Sequence, residues 1–101
     1  NFEGPNWWKM ANAIATIRIM PESPDIDLKH IETEAKKIIL GFAGKGDTKT
    51  EVIPVAFGLK SVNITFIMDE KLGSPDAIEG KLLTIEGVNS AETIDVRRAI
   101  G

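Results

Sequence analysis

The chain has no cysteine among its 101 residues, and His30 is its single histidine. Without thiols it can form neither disulfides nor thiolate metal sites, and it lacks a cysteine nucleophile. No apolar stretch approaches the ~20 residues that a membrane-spanning helix requires, so we expect no membrane insertion. A cytoplasmic location fits the absence of cysteine but does not follow from it, since many exported proteins also lack this residue.

Positive charge is also in short supply. The formal net charge is -3 and the isoelectric point is near 5.1, which argues against a protein that binds nucleic acid by neutralising phosphates. A hydrophobic fraction of 43% can fill one modest core, and the length fits one domain. We expect residues 10–101 to form that domain. Residues 1–9 have no periodicity continuous with the rest, so we expect an expression scar or a disordered extension there.

Groups suited to covalent chemistry are sparse. His30 falls within a predicted helix beside Lys29, and no serine or cysteine nucleophile can be assigned to it. The acidic residues are scattered over predicted helices and turns, without the spacing of a metal site or of a two-carboxylate hydrolase. We therefore predict no catalytic residue, no metal site and no cofactor.

Alternating apolar and polar residues predict four strands. The third is the clearest, because Val62, Ile64 and Phe66 lie on one face and polar residues form most of the other. In the fourth strand, Ile94 and Val96 are expected to point inward and Thr93, Asp95 and Arg97 outward. The predicted strands cover residues 12–20, 48–53, 62–68 and 88–100.

Two further stretches carry apolar residues at helical spacing. The first predicts a helix over residues 25–40 with Gly41 as its C-cap. The second helix is expected to open at Ser74 and Pro75, since proline is tolerated at the first helical position, and to stop at Gly87. The predicted order is strand, helix, strand, strand, helix, strand.

This order within about 90 residues predicts an α+β, ferredoxin-like βαββαβ fold. Its usual four-stranded antiparallel sheet has the order 4-1-3-2, and right-handed crossovers place both helices on one face. Pro54 cannot donate to a strand ladder, which suits a second strand at the sheet edge. The other face should be open and polar, with Thr16, Arg18, Asn63, Thr65, Asp95 and Arg97 on it.

Residues 54–60 join the second and third strands. These strands are too close in sequence for a parallel crossover, so the turn must be a hairpin tip. It carries Phe57, Gly58 and Lys60. An aromatic ring, a glycine that permits positive φ and a cation can together contact a partner protein. A phenylalanine buried in an ordinary hairpin would give the same pattern, and the residues by themselves favour that second interpretation.

Residues 53–60, IPVAFGLK, resemble the corresponding hairpin of the elongation factor 1-beta family, above all its archaeal form. Residues 13–27, AIATIRIMPESPDID, resemble the first strand and helix entry of that family. Residues 85–88, IEGV, resemble its last helix-to-strand link, and residues 94–98, IDVRR, its last strand. The resemblance is collinear over nearly the whole chain.

The resemblance implies a guanine nucleotide exchange factor that acts on elongation factor 1-alpha, the GTPase that delivers aminoacyl-tRNA to the ribosome. Such a factor makes no covalent change. It binds the nucleotide-poor GTPase better than the GDP-bound form, and so destabilises the bound nucleotide and magnesium. The expected partner is this GTPase, without direct contact to nucleic acid, and we expect a cytoplasmic protein that is monomeric when free.

The resemblance also implies roles for individual residues. Phe57 is expected to anchor the GTPase near its switch region, Gly58 to allow close approach, and Lys60 to contribute charge complementarity. Eukaryotic members use a lysine near the C-terminus to displace magnesium, but this chain has no lysine after Lys81. Either Arg97 or Arg98 takes its place, with Arg98 slightly favoured, or an archaeal-type protein weakens magnesium binding differently. A further interpretation is that both arginines only protect an edge strand from aggregation.

A different class of function stays open on the residues. A ferredoxin-like small-molecule sensor or dimerisation module would use the open sheet face instead of the hairpin. Three other functions of such folds are disfavoured. An RNA-recognition domain needs exposed aromatic residues on the central strands, a copper chaperone needs cysteines, and an acylphosphatase needs a phosphate-binding loop where Pro21 and Pro24 lack N–H donors.

Overall fold

The computed structural model describes residues 12–44, 48–69, 72 and 75–99. The prediction for residues 1–9 lies outside these ranges. The elements in chain order are β1 (Asn12–Pro21), α1 (Leu28–Ala43), β2 (Thr48–Pro54), a short 3-10 turn (Ala56–Gly58), β3 (Lys60–Asp69), α2 (Asp76–Leu82) and β4 (Val88–Ala99).

The four strands form one antiparallel sheet in the order β2-β3-β1-β4. Read from the other edge, this is the predicted order 4-1-3-2, so the ferredoxin-like βαββαβ fold is confirmed. β2 lies at one edge, and Pro54 is its last residue, opposite Lys60 of β3. An edge strand tolerates the missing N–H of proline, which explains why Pro54 can stand there.

Both helices pack on one face of the sheet. In β1 and β3, the two central strands, apolar positions largely alternate with polar ones. Alternate residues of a strand point to the same face, so these apolar side chains meet on the face that the helices cover. Burial of this face is the main source of stability in a domain of this size. The buried side chains are Ala13, Ala15, Ile17, Ile19, Val62, Ile64, Phe66 and Met68 from the strands, with Ile31, Ala35, Ile39, Ile78, Leu82, Ile85 and Val88.

The predicted boundaries of α1 are wrong at both ends. The helix begins at Leu28, where Asp27 is the N-cap and accepts a hydrogen bond from the Lys29 N–H at 3.0 Å. It runs through Gly41 to Ala43, because Phe42 and Ala43 still pack against the core. The C-cap is Gly44, whose φ of 87° is the conformation that glycine adopts readily.

The second half of the chain also departs from prediction. α2 ends at Leu82, five residues before Gly87, and a series of turns leads from there into β4. A bulge in β4 pairs Asp95 with Thr16 but Thr93 with Ile17. Ile94 therefore has no partner in β1 and is 43% exposed, so its inward direction stays a prediction.

The bulge changes the surroundings of the residues beside it. Thr93 was expected to point outward, but it lies opposite buried Ile17, and its N–H donates to the Glu79 carboxylate of α2 at 2.8 Å. Val96 lies opposite Ala15 on the helix-covered side, as predicted, yet it remains 53% exposed. β4 is an edge strand, and the seven-residue α2 covers it incompletely.

Polar residues occupy much of the opposite face of the sheet, as predicted. The hydroxyls of Thr16 and Thr65 lie 2.9 Å apart, and Arg18 donates to Glu92 at 2.8 Å. Ser61 and Asn63 are less accessible than expected: both are buried, and the Ser61 hydroxyl donates to the Asn63 side-chain oxygen at 2.9 Å. This face is thus open to solvent but is partly covered by its own side chains.

Candidate partner-binding site

The hairpin tip is a five-residue connection at one end of the sheet. Its base is the pair Pro54 and Lys60, the last in the ladder between β2 and β3. Within the tip, the Val55 N–H donates to the Leu59 carbonyl at 2.8 Å, and the Leu59 N–H donates to the Ala56 carbonyl at 3.1 Å. These two hydrogen bonds close the turn and leave Phe57 and Gly58 at its apex.

The backbone of Phe57 is unusual. Its φ of 60° and ψ of 33° place it in the left-handed region, and Gly58 follows with φ of 76°. Two successive positive φ angles spanned by a hydrogen bond from residue 59 to residue 56 are the features of a type I′ turn, for which Asn-Gly is preferred. Phe57 is the one residue other than glycine with positive φ in the described ranges. A bulky L-residue there costs roughly 1–2 kcal/mol.

The Phe57 side chain points away from the protein. It is 93% exposed, so the interpretation of Phe57 as a buried hairpin residue is wrong. A large aromatic ring that makes so little contact with its own chain contributes almost nothing to folding. Combined with an unfavourable backbone conformation, this exposure points to a role in contacting another molecule.

Three exposed apolar residues lie near Phe57, at the end of β2 and the start of the tip. Val52, Ile53 and Val55 are between 39% and 47% exposed. We name these three residues the apolar collar of the tip. These residues were not predicted to belong to the site, although the sequence contains a signal: four polar residues, 48–51, are followed by an apolar run just before the tip. Since Val52 and Ile53 are successive strand residues, they add apolar area on opposite faces of the sheet near Phe57.

The structure places Gly58 and Lys60 beside Phe57, as the sequence indicated. A β-carbon built on Gly58 would meet only an ordinary van der Waals neighbour, Pro24 Cγ at 3.8 Å. A side chain at this position would have enough space, so glycine is favoured here by the positive φ. Lys60 is exposed at the base of the tip, so its ammonium group is available to a partner. The contribution of both residues to binding stays a prediction.

The two arginines lie at the other end of the sheet. Arg97 is aligned with Ile14 of β1, which in turn is aligned with Ile67 of β3. From Lys60 to Ile67 the strand rises about 23 Å at ~3.3 Å per residue. The structure therefore does not bring Phe57 and Arg97 together.

The arginines themselves occupy successive positions in β4. The Arg97 side chain is 75% exposed, and its Nε donates to Asp95 at 2.8 Å. Arg98 has its register position opposite Ala13, and its side chain lies outside the described part. Which of the two arginines contacts a partner, if either does, stays a prediction.

Other places in the fold offer less. A shallow depression of about 310 Å³ is lined by Ile26, Asp27, His30, Glu86 and Gly87, where His30 is exposed on α1. In the described ranges, no group of three or more histidine, aspartate or glutamate residues could hold a metal ion. None of the helices in that part of the chain is long and apolar enough to cross a membrane.

Two ion pairs lie on the open sheet face, the alternative interaction surface. Arg18 is bonded to Glu92 and Arg97 to Asp95, each at 2.8 Å. A partner that covered this face would have to compete with these pairs or bury them. Nothing in the described geometry therefore favours a sensor or dimerisation site on this face over the hairpin tip.

Comparison with known proteins gives a consistent result. Residues 14–99 match the EF-1 guanine nucleotide exchange domain. The chain is similar to elongation factor 1-beta of Methanoregula boonei, with 40% identity over 87 residues that cover 86% of this chain and 96% of the relative. The protein of that name from Methanothermobacter thermautotrophicus is 39% identical over 89 residues, or 88% of this chain and 98% of the relative. The chain therefore belongs to the elongation factor 1-beta family.

Proposed function

We propose that this protein promotes the exchange of GDP for GTP on elongation factor 1-alpha. Membership of a family defined by a guanine nucleotide exchange domain supports the class of activity. The observation that carries the proposal is Phe57, an aromatic side chain 93% exposed on a left-handed backbone at the tip of a hairpin. The proposed action requires binding only and makes no covalent change in either protein.

Exchange follows from differential affinity. If the protein binds nucleotide-poor elongation factor 1-alpha more tightly than the GDP-bound form, it must weaken GDP binding by the same factor, because the coupling is reciprocal. Equal affinity for both forms would change nothing, however tight the binding. The proposed contacts must therefore disturb the site that holds GDP and magnesium.

Phe57 is suited to act as the anchor of this complex. Burying a phenylalanine side chain that was exposed contributes roughly 1.5–3 kcal/mol. The apolar collar of Val52, Ile53 and Val55 adds exposed apolar area near the tip, which a partner can bury together with the ring. Lys60 adds a positive charge at the base of the tip, which favours an acidic rim on the GTPase.

The second proposed contact is the arginine end of β4. Because Arg97 lies about 23 Å along the sheet from the base of the tip, a GTPase touched by both ends must present two separated sites. A guanidinium near the magnesium site would compete with the metal for acidic groups and phosphate oxygens. In this arrangement Phe57 supplies affinity at one end of the sheet and an arginine weakens magnesium binding at the other.

The direct test follows the release of fluorescently labelled GDP from purified elongation factor 1-alpha. Adding the wild-type protein should accelerate release, and Phe57→Ala should remove most of the acceleration. Leu40→Ala is a matched control, because Leu40 is also an exposed apolar side chain but stands on α1 near its C-terminal end. Release that is not accelerated by the wild-type protein would disprove the proposal.

A further inference from the structure

A second loop lies beside the hairpin tip. It connects β1 to α1 and covers residues 22–27. Pro24 of this loop lies next to Gly58: its Cγ would be 3.8 Å from a β-carbon built on Gly58, at ordinary van der Waals distance. Apart from Gly58 and its chain neighbours, no other heavy atom in the described part would lie within 4 Å of that β-carbon. Pro24 is therefore the neighbour that Gly58 faces across the surface.

This loop is attached firmly to the rest of the fold. The Glu22 N–H donates to the Gly87 carbonyl at 2.8 Å, which ties the loop to the start of β4. The Ile26 N–H donates to the Ser23 carbonyl at 3.3 Å, which closes a turn around Pro24. A β-carbon on Gly87 would lie 2.7 Å from Ile26 Cγ2, so Ile26 packs tightly on the backbone there. Pro24 thus stands on a fixed base.

The tip has little support of its own. Residues 51–58 are all exposed, and the Phe57 ring makes almost no contact with the chain. Two hydrogen bonds hold the turn closed, but both run within residues 55–59 and do not connect it to the body of the protein. The direction in which the tip points therefore depends on the pair Pro54 and Lys60 at its base and on the neighbouring loop that carries Pro24.

We infer that Pro24 is a positioning residue for Phe57. Its ring borders the space beside Gly58, where a built β-carbon would already be at van der Waals distance from it. Pro24 therefore limits movement of the tip toward the loop, so that the Phe57 ring is held in the direction from which it meets its partner. The inference rests on the proposed function for its consequence in exchange. A tip with a fixed direction loses less conformational freedom on binding, and so binds more tightly for the same contacts.

The first experiment compares Pro24→Ala with the wild-type protein. Alanine removes the γ-carbon that approaches Gly58. In the GDP-release assay, the concentration of Pro24→Ala that gives half-maximal stimulation should rise about three- to tenfold, with the maximal rate little changed. In the free protein, ¹⁵N relaxation should show lower order parameters at Phe57 and Gly58 and unchanged ones in α1. Asp25→Ala is the matched control, because it changes an exposed neighbour in the same loop and keeps the Pro24 ring.

The second experiment separates positioning from direct contact with the GTPase. Pro24→Ala is introduced into the Phe57→Ala protein, and binding to nucleotide-free elongation factor 1-alpha is measured by titration. If Pro24 acts through Phe57, the second substitution should cause no further loss. An equal loss in both backgrounds would show that Pro24 touches the partner itself, and the inference would be wrong.

Two further outcomes complete the test. Half-maximal stimulation and tip order parameters that stay at wild-type values in Pro24→Ala would overturn the inference while the proposed function stands. A wild-type protein that does not accelerate GDP release would instead overturn the proposed function. In that case the order parameters at Phe57 and Gly58 still decide whether Pro24 restrains the tip.

Discussion

Two phenylalanines on the same hairpin lie in opposite surroundings. Phe66 of β3 is 1% exposed, lies opposite Ala15 and Thr48 in the sheet, and is the largest fully buried side chain among the described residues. Phe57 at the tip is 93% exposed. The residue type is the same, so it does not determine whether the side chain is buried. What differs is position: Phe66 lies within the strand ladder and Phe57 lies beyond its last pair.

The two residues also differ in backbone conformation. Phe66 lies in a regular strand, where an aromatic residue is favoured. Phe57 adopts a left-handed conformation, which is energetically unfavourable for L-residues with a β-carbon. At the tip, then, neither the side chain nor the backbone contributes to folding, and an unfavourable local choice of this kind is typical of a functional position.

Phe66→Ala should produce the largest effect on stability. Removing a fully buried ring loses its transfer free energy and leaves a cavity, so we expect the free energy of unfolding to fall by about 3–5 kcal/mol. Urea unfolding followed by circular dichroism measures this change. GDP release stimulated by the molecules that remain folded should match the wild-type rate. A loss below 1 kcal/mol would show that the two phenylalanines are less different than the structure indicates.

Phe57→Ala is the same substitution in the opposite setting. Because the ring is exposed, the free energy of unfolding should change by no more than about 0.5 kcal/mol. Affinity for elongation factor 1-alpha should fall about 30-fold or more, the loss expected for an anchor worth at least ~2 kcal/mol. Isothermal titration with the nucleotide-free GTPase measures this loss. Substantial unfolding of Phe57→Ala would contradict the division between a core and a docking phenylalanine.

Phe57→Asn sharpens the comparison by separating backbone from side chain. Asparagine tolerates the left-handed region, and Asn-Gly is the preferred pair for a type I′ turn. We expect the variant to be more stable than the wild type by about 0.5–1 kcal/mol, seen as a higher midpoint of thermal unfolding. Exchange activity should be lost as in Phe57→Ala.

Phe57→Ala is the control for this gain, because it removes the ring but keeps an L-residue that is disfavoured at positive φ. Equal stability of the two variants would indicate that the left-handed conformation is not costly in this turn. A gain confined to Phe57→Asn would show that the protein gives up stability to place an aromatic ring at the apex, a common exchange at functional sites.

The regular part of the fold was predictable because burial on one face imposes a period of two on β1 and β3. The α1 boundaries were not, because they depend on tertiary contacts: Phe42 packs on the core and carries the helix past Gly41. The bulge at Ile94 escaped prediction for a related reason. It is visible only in the register between β4 and β1, which no local pattern encodes.

The candidate site was predictable in part. The short connection between β2 and β3 places Phe57, Gly58 and Lys60 on one hairpin tip, and the resemblance to a family singled them out. The exposure of Phe57 could not be read from its neighbours, because a buried phenylalanine gives the same local sequence. Its left-handed backbone was also hidden, since the statistical preference at such a position is for asparagine or glycine. Sequence reasoning assigned the unusual conformation to Gly58 only.

The outer surface of α1 belongs to neither the core nor the tip. A substitution there should have the smallest effect on the free energy of unfolding. Lys36 Nζ lies 2.9 Å from Glu32 Oε2, one turn apart on the helix. The hydrogen bond from Lys36 lowers the pKa of Glu32 below its ordinary value of 4.5, although burial acts in the opposite direction. Glu32→Gln should reduce the free energy of unfolding at pH 7 by only about 0.3–0.5 kcal/mol.

The pH dependence of this loss identifies its cause. A carboxyl whose pKa is lowered in the folded state contributes stability that is fully present above its unfolded pKa, near 4.5, and lost as the pH falls through the lower folded value. The wild type and Glu32→Gln should therefore converge in stability below pH 4.5, as measured by urea unfolding over a pH series. Glu34→Gln is the matched control, because its pair with Lys37, at 3.2 Å, is more exposed and should matter less. A difference that persists unchanged at low pH would mean that Glu32 stabilises α1 by packing and not by charge.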